Sequence, residues 1–170
     1  MTRAMIIGNA GGGKSTIASV VAARHGLPVF SIDDLMWRPG WRRTPETAFQ
    51  AGHEALLKKE KWLIDGFGSW ASVLRRMDEA DAVIFVDHPL RVHLWWALKR
   101  QAQSLFLGRE SGPAGCRMWP VTFRLFRMIL WLHREMRPKL LAELDARRAS
   151  VRIIHIRSPK ALVEFAANPV

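Results

Sequence analysis

Apolar residues fall along the chain in two alternating rhythms. Five short runs, at residues 3–7, 28–31, 62–65, 82–87 and 151–157, are rich in aliphatic and aromatic side chains, and the last two are nearly continuous. Strands covered by helices on both faces need such runs, because a strand with one wet face alternates polar and apolar positions. Between the runs the apolar spacing lengthens to three and four residues. Ile17, Val20 and Val21 mark a helix after the first run. Phe49, His53, Leu56 and Leu57 mark a second that reaches Glu60 and is opened by Thr44 and Pro45. Val92, Trp95, Trp96 and Leu98 mark a third, opened by Pro89 and closed by the Gly- and Pro-rich stretch at 108–115. From Pro120 a long helix is expected at least to Arg137, with Pro138 as its kink or break. The alternation predicts a doubly wound α/β domain with a parallel sheet between helical layers. It covers residues 1–170 as one unit, with a lid or insert at about residues 104–138.

The first strand runs directly into Gly8-Asn9-Ala10-Gly11-Gly12-Gly13-Lys14-Ser15, followed by Thr16 and the first helix. Every fixed position of the G-x-x-x-x-G-K-[ST] phosphate loop is filled, between the two elements that motif requires. The chemistry follows from the backbone. Glycines let successive amides turn inward around a phosphate, and a helix N-terminus adds partial positive charge. Lys14 is placed to reach β- and γ-phosphate oxygens and Ser15 to ligate Mg²⁺. ATP and Mg²⁺ are therefore the expected cofactors, held by Gly8 to Thr16.

Mg²⁺ on a triphosphate commonly takes a carboxylate from the end of a neighbouring strand. Asp65 and Asp87 both close apolar runs. Asp65 is the stronger candidate, since Gly66 beside it allows close approach, whereas Asp87 before Pro89 suits a helix cap. Asp33 and Asp34 follow the second run, on the side where ligands meet a parallel sheet. Asp33 is a candidate to position an acceptor hydroxyl, with Asp34 beside it. Trp37, Trp41, Arg42 and Arg43 could stack on or pair with an acceptor.

Charge sharpens this picture. Lys plus Arg total 26 against 15 Asp plus Glu, a net of +11. Nineteen of the bases are Arg, whose planar fork suits phosphate oxygens. Between Arg100 and Lys139 eight bases face two acids. Arg109, Arg117, Arg124 and Arg127 are candidates for a lid that meets the charge developed in phosphoryl transfer. Arg157, closing the last run, is a candidate nucleotide contact. One cysteine, Cys116, excludes an internal disulfide and agrees with a reducing cytoplasm. The apolar stretch at 121–132 carries Arg124 and Arg127, well short of the roughly 18 uncharged residues of a membrane span. No membrane is expected as a partner.

These segments resemble the adenylate-kinase-like branch of the P-loop NTPases, and within it the bacterial topology modulation proteins. The likeness rests on the phosphate loop at residues 8–16, LPVFSIDDLMWRPGW at 27–41, WLIDG at 62–66 and RPK at 137–139. It implies a parallel five-stranded sheet of order 2-3-1-4-5, ATP with Mg²⁺, an acceptor region after the second strand and an Arg-bearing helical lid. Lys14, Ser15 and Thr16 match the phosphate and metal positions, Asp33 the acid after the second strand, and Asp65 the acid closing the third. Adenylate kinases continue Asp-Gly-Phe with Pro-Arg, and here Gly68-Ser69 stand instead. Arg75 or Arg76 in the next helix is then the candidate for an acceptor phosphate. The expectation is a kinase-like phosphotransferase acting on a small acceptor, a monomer or homodimer. Two alternatives stay open: a nucleic-acid-associated ATPase, suggested by the charge, and a nonenzymatic ATP-dependent switch.

Overall fold

Why the five runs become one sheet is visible in their side-chain alternation. In β1 (Arg3–Gly8), Met5 and Ile7 point into one core, with Phe49, Trp62, Ile64, Val73, Met77 and Leu140, while Ala4 and Ile6 point into another, with Ile17, Val21, Leu162 and Phe165. A strand so placed has no wet face, which is why its sequence is continuous rather than alternating. The computed structural model describes residues 1–108 and 112–169.

The remaining strands are β2 (Val29–Ser31), the two-residue β3 (Trp37–Arg38) and β4 (Arg42–Arg43), β5 (Trp62–Asp65), β6 (Ala82–Val86) and β7 (Arg152–Ile156). Five of them make a parallel sheet, ordered β2-β5-β1-β6-β7. Numbered among themselves in chain order these five run 2-3-1-4-5, as expected. The detail that differs is the antiparallel hairpin β3-β4, not foreseen, which occupies the third and fourth places in the chain and lies outside the main sheet. Helices α1 (Lys14–His25) and α8 (Pro159–Ala167) cover one face. The other is covered by α3 (Glu46–Leu57), α4 (Trp70–Glu79) and α7 (Arg137–Ala146).

The short α2 (Ile32–Met36) leads from β2 to the hairpin. Helix α5 (Leu90–Leu107) leaves the sheet and packs beside α6 (Thr122–Trp131), which follows a 3-10 turn at Trp119–Val121. Ala97, Met118, Leu125 and Ile129 form a third, smaller core there. The helix does not break at Pro138. It passes through a π-helical turn, Leu132–Met136, and continues as α7 with Pro138 in its first turn. A wide turn ahead of the proline places the residue without an N–H where the new helix has no bond to lose. Among the described residues no helix is long and apolar enough to cross a membrane.

Candidate functional site

Parallel register brings the ends of the central strands to one edge. Ser31 lies opposite Asp65, Asp65 opposite Ile6, and Gly8 opposite Val86. The loop from Gly8 to Gly13 rises from this edge with φ of 151°, 65° and 78° at Gly8, Gly11 and Gly13. A side chain could not replace these glycines cheaply. A Cβ on Gly8 would sit 2.1 Å from the Val86 carbonyl oxygen, and one on Gly11 would sit 2.8 Å from that of His93. Helix α1 begins here with no side-chain cap and no acid in its first turn. Its first amides thus lack helical partners and face the cleft with their partial positive charge undiluted.

Lys14 Nζ donates to the Asn9 carbonyl at 2.8 Å, bent back across the loop. The Ser15 hydroxyl donates to Asp65 Oδ2 at 3.3 Å. Asp65 Oδ1 is buried and has no hydrogen-bond partner among the described residues. A buried carboxylate oxygen without a partner is costly unless something else satisfies it, and a divalent cation beside Ser15 is a group of the right charge and hardness. Among the described residues no three His, Cys, Asp or Glu side chains gather into a metal site. That suits Mg²⁺, which takes one or two protein oxygens and completes its shell with phosphate oxygens and water. The residues present therefore fit both groups.

Facing the loop, Asp33 and Asp34 open α2, and the Asp34 amide donates to Ser31 Oγ at 3.4 Å. Asp33 is in contact with the water of the cleft, yet the surrounding walls raise its carboxyl above the usual range, with Lys14 pulling down and Asp65 pushing up. On the far side Arg100, from α5, brings a buried Nε with no hydrogen-bond partner among the described residues. Burial lowers its pKa, and the Asp33 charge works against that. Together these groups line one cleft of about 1030 Å³ that extends to Trp37, Trp41, Trp96, Lys99, Gln103, Arg124 and Trp131.

The chain can now be set beside solved structures. A gluconokinase from Sinorhizobium meliloti aligns over 98% of this chain and 87% of its own length at 16% identity and a TM-score of 0.55. A sugar kinase from a Janibacter species aligns over 98% and 92% at 19% identity and a TM-score of 0.51. A shikimate kinase from Acinetobacter baumannii, solved with shikimate, aligns over 98% and 89% at 15% identity and a TM-score of 0.58. The fold is shared with these P-loop kinases. No family model matches the chain, and no curated protein sequence matches it.

Within this fold several residues lie away from where the sequence pointed. Arg75 is exposed and held by Glu54 and Glu79, out of the cleft. Arg76 is fully buried and donates to the carbonyls of Ser72, Gly66 and Phe67, so it fixes the loop after Asp65 from below instead of reaching an acceptor. Burial lowers its pKa to about 9, opposed by Asp65 and Asp33. Of the arginines expected in a lid, Arg124 lines the cleft with its guanidinium 5.6 Å from the Trp37 ring. Arg127, one turn beyond Phe123 in α6, turns instead to that exposed ring. Arg117 is exposed and contributes its carbonyl, which accepts from Trp41 Nε1 at 2.7 Å. Arg109 lies outside the described residues. Arg157 is exposed beyond β7, its Nε 3.3 Å from His155 Nδ1 and not against the cleft. Arg42 and Arg43 engage the Pro39 carbonyl and Glu46 on the outer side of the hairpin.

Asp87 does not cap α5, which has no side-chain cap. It takes a two-point bond from Arg137 at 2.6 and 2.9 Å and lies 2.9 Å from His155 Nε2, contacts that oppose the effect of its burial and leave its pKa lowered. The RPK segment thus ties α7 to the sheet edge. Of two further residues, His93 carried no signal in the sequence and Asn9 only that of its place in the phosphate loop. His93 is buried below the loop, 3.1 Å from the Ala10 carbonyl, and burial with the nearby Lys14 lowers its pKa to about 4. Asn9 accepts from the Ala10 amide and donates to the Ile129 carbonyl of α6, both at 2.8 Å.

Proposed function

We propose that the protein is an ATP-dependent phosphotransferase that moves the γ-phosphate to a hydroxyl of a small acceptor. The observation that carries this is the convergence, in one cleft, of an uncapped phosphate loop, the Ser15 and Asp65 pair with its unpartnered carboxylate oxygen, and Asp33 facing them. The names of the structural neighbours, kinases of small molecules, support the same reading.

In this scheme the amides of residues 11–16 and Lys14 hold the β- and γ-phosphates, and Lys14 leaves the Asn9 carbonyl to do so. Ser15 and Asp65 hold Mg²⁺, which when bound neutralises the phosphate charge. Asp33 accepts the proton of the acceptor hydroxyl as its oxygen bonds to phosphorus and the bond to the β-phosphate oxygen breaks, giving a phosphomonoester and ADP. Arg124 is the lid arginine placed to serve the cleft, and Asp34 and Trp37 line the acceptor side. We take the chain as one domain with an insert at about residues 104–138, kin to the topology modulation proteins, acting in the cytoplasm as a monomer or homodimer.

Incubation with ATP, Mg²⁺ and a panel of sugars, hydroxy acids and nucleosides tests this. Phosphorylation of an acceptor, abolished in Asp33→Asn, is expected. Tight ATP binding with no acceptor consumed would leave the switch alternative in its place. Only the charge speaks for nucleic acid. Duplex binding that weakens by orders of magnitude between about 50 and 200 mM salt would revive it.

A further inference from the structure

We infer that the acceptor is an aromatic or fused-ring hydroxy acid, a flat apolar body with one reacting hydroxyl and one acidic group, and not a polyhydroxylated one. The inference rests on the phosphotransferase reading for the step performed, and on the acceptor half of the cleft for the shape.

That half is built around Trp37. Its ring lies edge-on to Trp41, with centroids 5.6 Å apart and planes at 71°. Trp41 is itself fixed twice over, by its Nε1 bond to the Arg117 carbonyl and by a backbone φ of 58°. A bulky residue in the left-handed region is a strained conformation that persists only where its surroundings impose it, and such residues concentrate at ligand sites. The imposition is visible. The Gly40 amide donates to the Gly115 carbonyl at 2.9 Å, and Cys116 Sγ lies 3.3 Å from the Arg38 carbonyl, so the hairpin is stitched just ahead of Trp41 to the segment before α6. Trp37 is therefore a held plate, and its ring lies under the Arg124 guanidinium.

The neighbours of the plate decide what can lie on it. Met36, Leu125 and Met128 line the cleft with Trp37 and their side chains offer no hydrogen bonds of ordinary strength, while Asp34, Lys99 and Gln103 give the same cleft a few polar points. A polyol placed there would turn several hydroxyls toward carbon and thioether, losing their water without replacement. A flat ring gains from the Trp37 face beyond the area it buries. Its acidic group is then met by Arg124, whose guanidinium gives up the Trp37 face to the ring and pairs with the acid at the ring's rim. Asp33 stands in the first turn of the short α2 and Trp37 directly after its last residue, so one short element carries both the reacting end and the plate. The hydroxyl end meets Asp33, with Arg100 behind it.

Calorimetry on the full chain, saturated with a non-hydrolysable ATP analogue and Mg²⁺, tests the shape apart from the chemistry. The probes are para-hydroxymethylbenzoate and a hydroxymethyl naphthoate against gluconate and shikimate. The aromatic acids are expected to bind at least about tenfold more tightly than the polyols. Trp37→Leu should abolish that preference while nucleotide affinity stays put, and Trp37→Phe should restore most of it. Arg124→Gln should remove the preference for the acid over the matching neutral alcohol. Equal or tighter polyol binding, indifference to Trp37→Leu, or no binding by any probe overturns the inference. Turnover is scored separately. An aromatic probe bound through Trp37 and never phosphorylated upholds the shape and defeats the phosphotransferase reading. A polyol phosphorylated equally by the wild type and Trp37→Leu does the reverse.

Discussion

The two ends of the cleft are made of different materials. At the phosphate end the binding surface is main chain: a run of amides, a helix start and glycines whose Cβ positions are filled by Val86 and by α5. At the end proposed for the acceptor it is side chain: tryptophans, methionines and arginines carried by α2, the β3-β4 hairpin, α5 and α6. Main chain can be shaped for one ligand class by spacing alone, because every residue brings the same amide. Side chains must be gathered from distant segments, and their selectivity depends on what fixes each of them.

Four experiments press on that contrast, from the largest expected effect to the smallest. Asp33→Asn, at the junction of the two ends, is expected to lower transfer by about 10²–10⁴-fold, the usual worth of a positioned base. The neighbouring walls raise the Asp33 pKa, so its ionised form is the less favoured one in the folded state. Whatever stability it contributes is present at acid pH and declines as pH rises through its folded pKa. The variant's melting temperature at neutral pH should hold or rise slightly, and the acid limb of the wild-type rate profile should fall above the ordinary carboxylate range. A variant that melts markedly earlier would show that Asp33 holds the fold instead.

Lys14→Ala should cost on the order of 10²–10³-fold in kcat, the scale of one lost charge-stabilising donor, with little change in far-UV circular dichroism. Retained turnover would place the phosphate elsewhere. Arg76→Met should lower stability by roughly 3 kcal/mol or more in urea, since the carbonyls of Gly66 and Phe67 lose their donor inside the protein. Arg75→Ala, one residue away and in water, is expected to leave stability and activity where they were. Equal effects from the two would erase the distinction between them. Finally, His53 and His93 both have pKa values lowered to about 4 by burial. Lowered histidines contribute stability above the unfolded value near 6.5, lost as pH falls from there toward 4. The melting temperature should drop across that window, less steeply in His53→Phe.

The same contrast explains what the sequence disclosed. The phosphate loop was legible because its chemistry is a matter of interval: Gly13, Lys14 and Ser15 in order, after a strand and before a helix. The parallel sheet was legible because burial on both faces writes itself as unbroken apolar runs. Arg75 and Arg76 look alike in one dimension, and only the packing of α4 sends one to solvent and the other under Gly66. Arg124 and Arg127 differ by three places, enough to turn one into the cleft and the other onto Phe123. The hairpin at Trp37 left no trace because two-residue strands have no periodicity to read, and Arg100 sat in a helix with nothing nearby in the chain to mark it.

Asn9 joins the two materials. With one side-chain amide it steadies the loop at Ala10 and grips Ile129 just before the π-helical turn that follows α6. The carbonyl that holds Lys14 and the amide that holds α6 thus belong to one residue. Asn9→Asp, by putting an acceptor where Ile129 needs a donor, would cut that second hold while leaving every phosphate-binding amide in place.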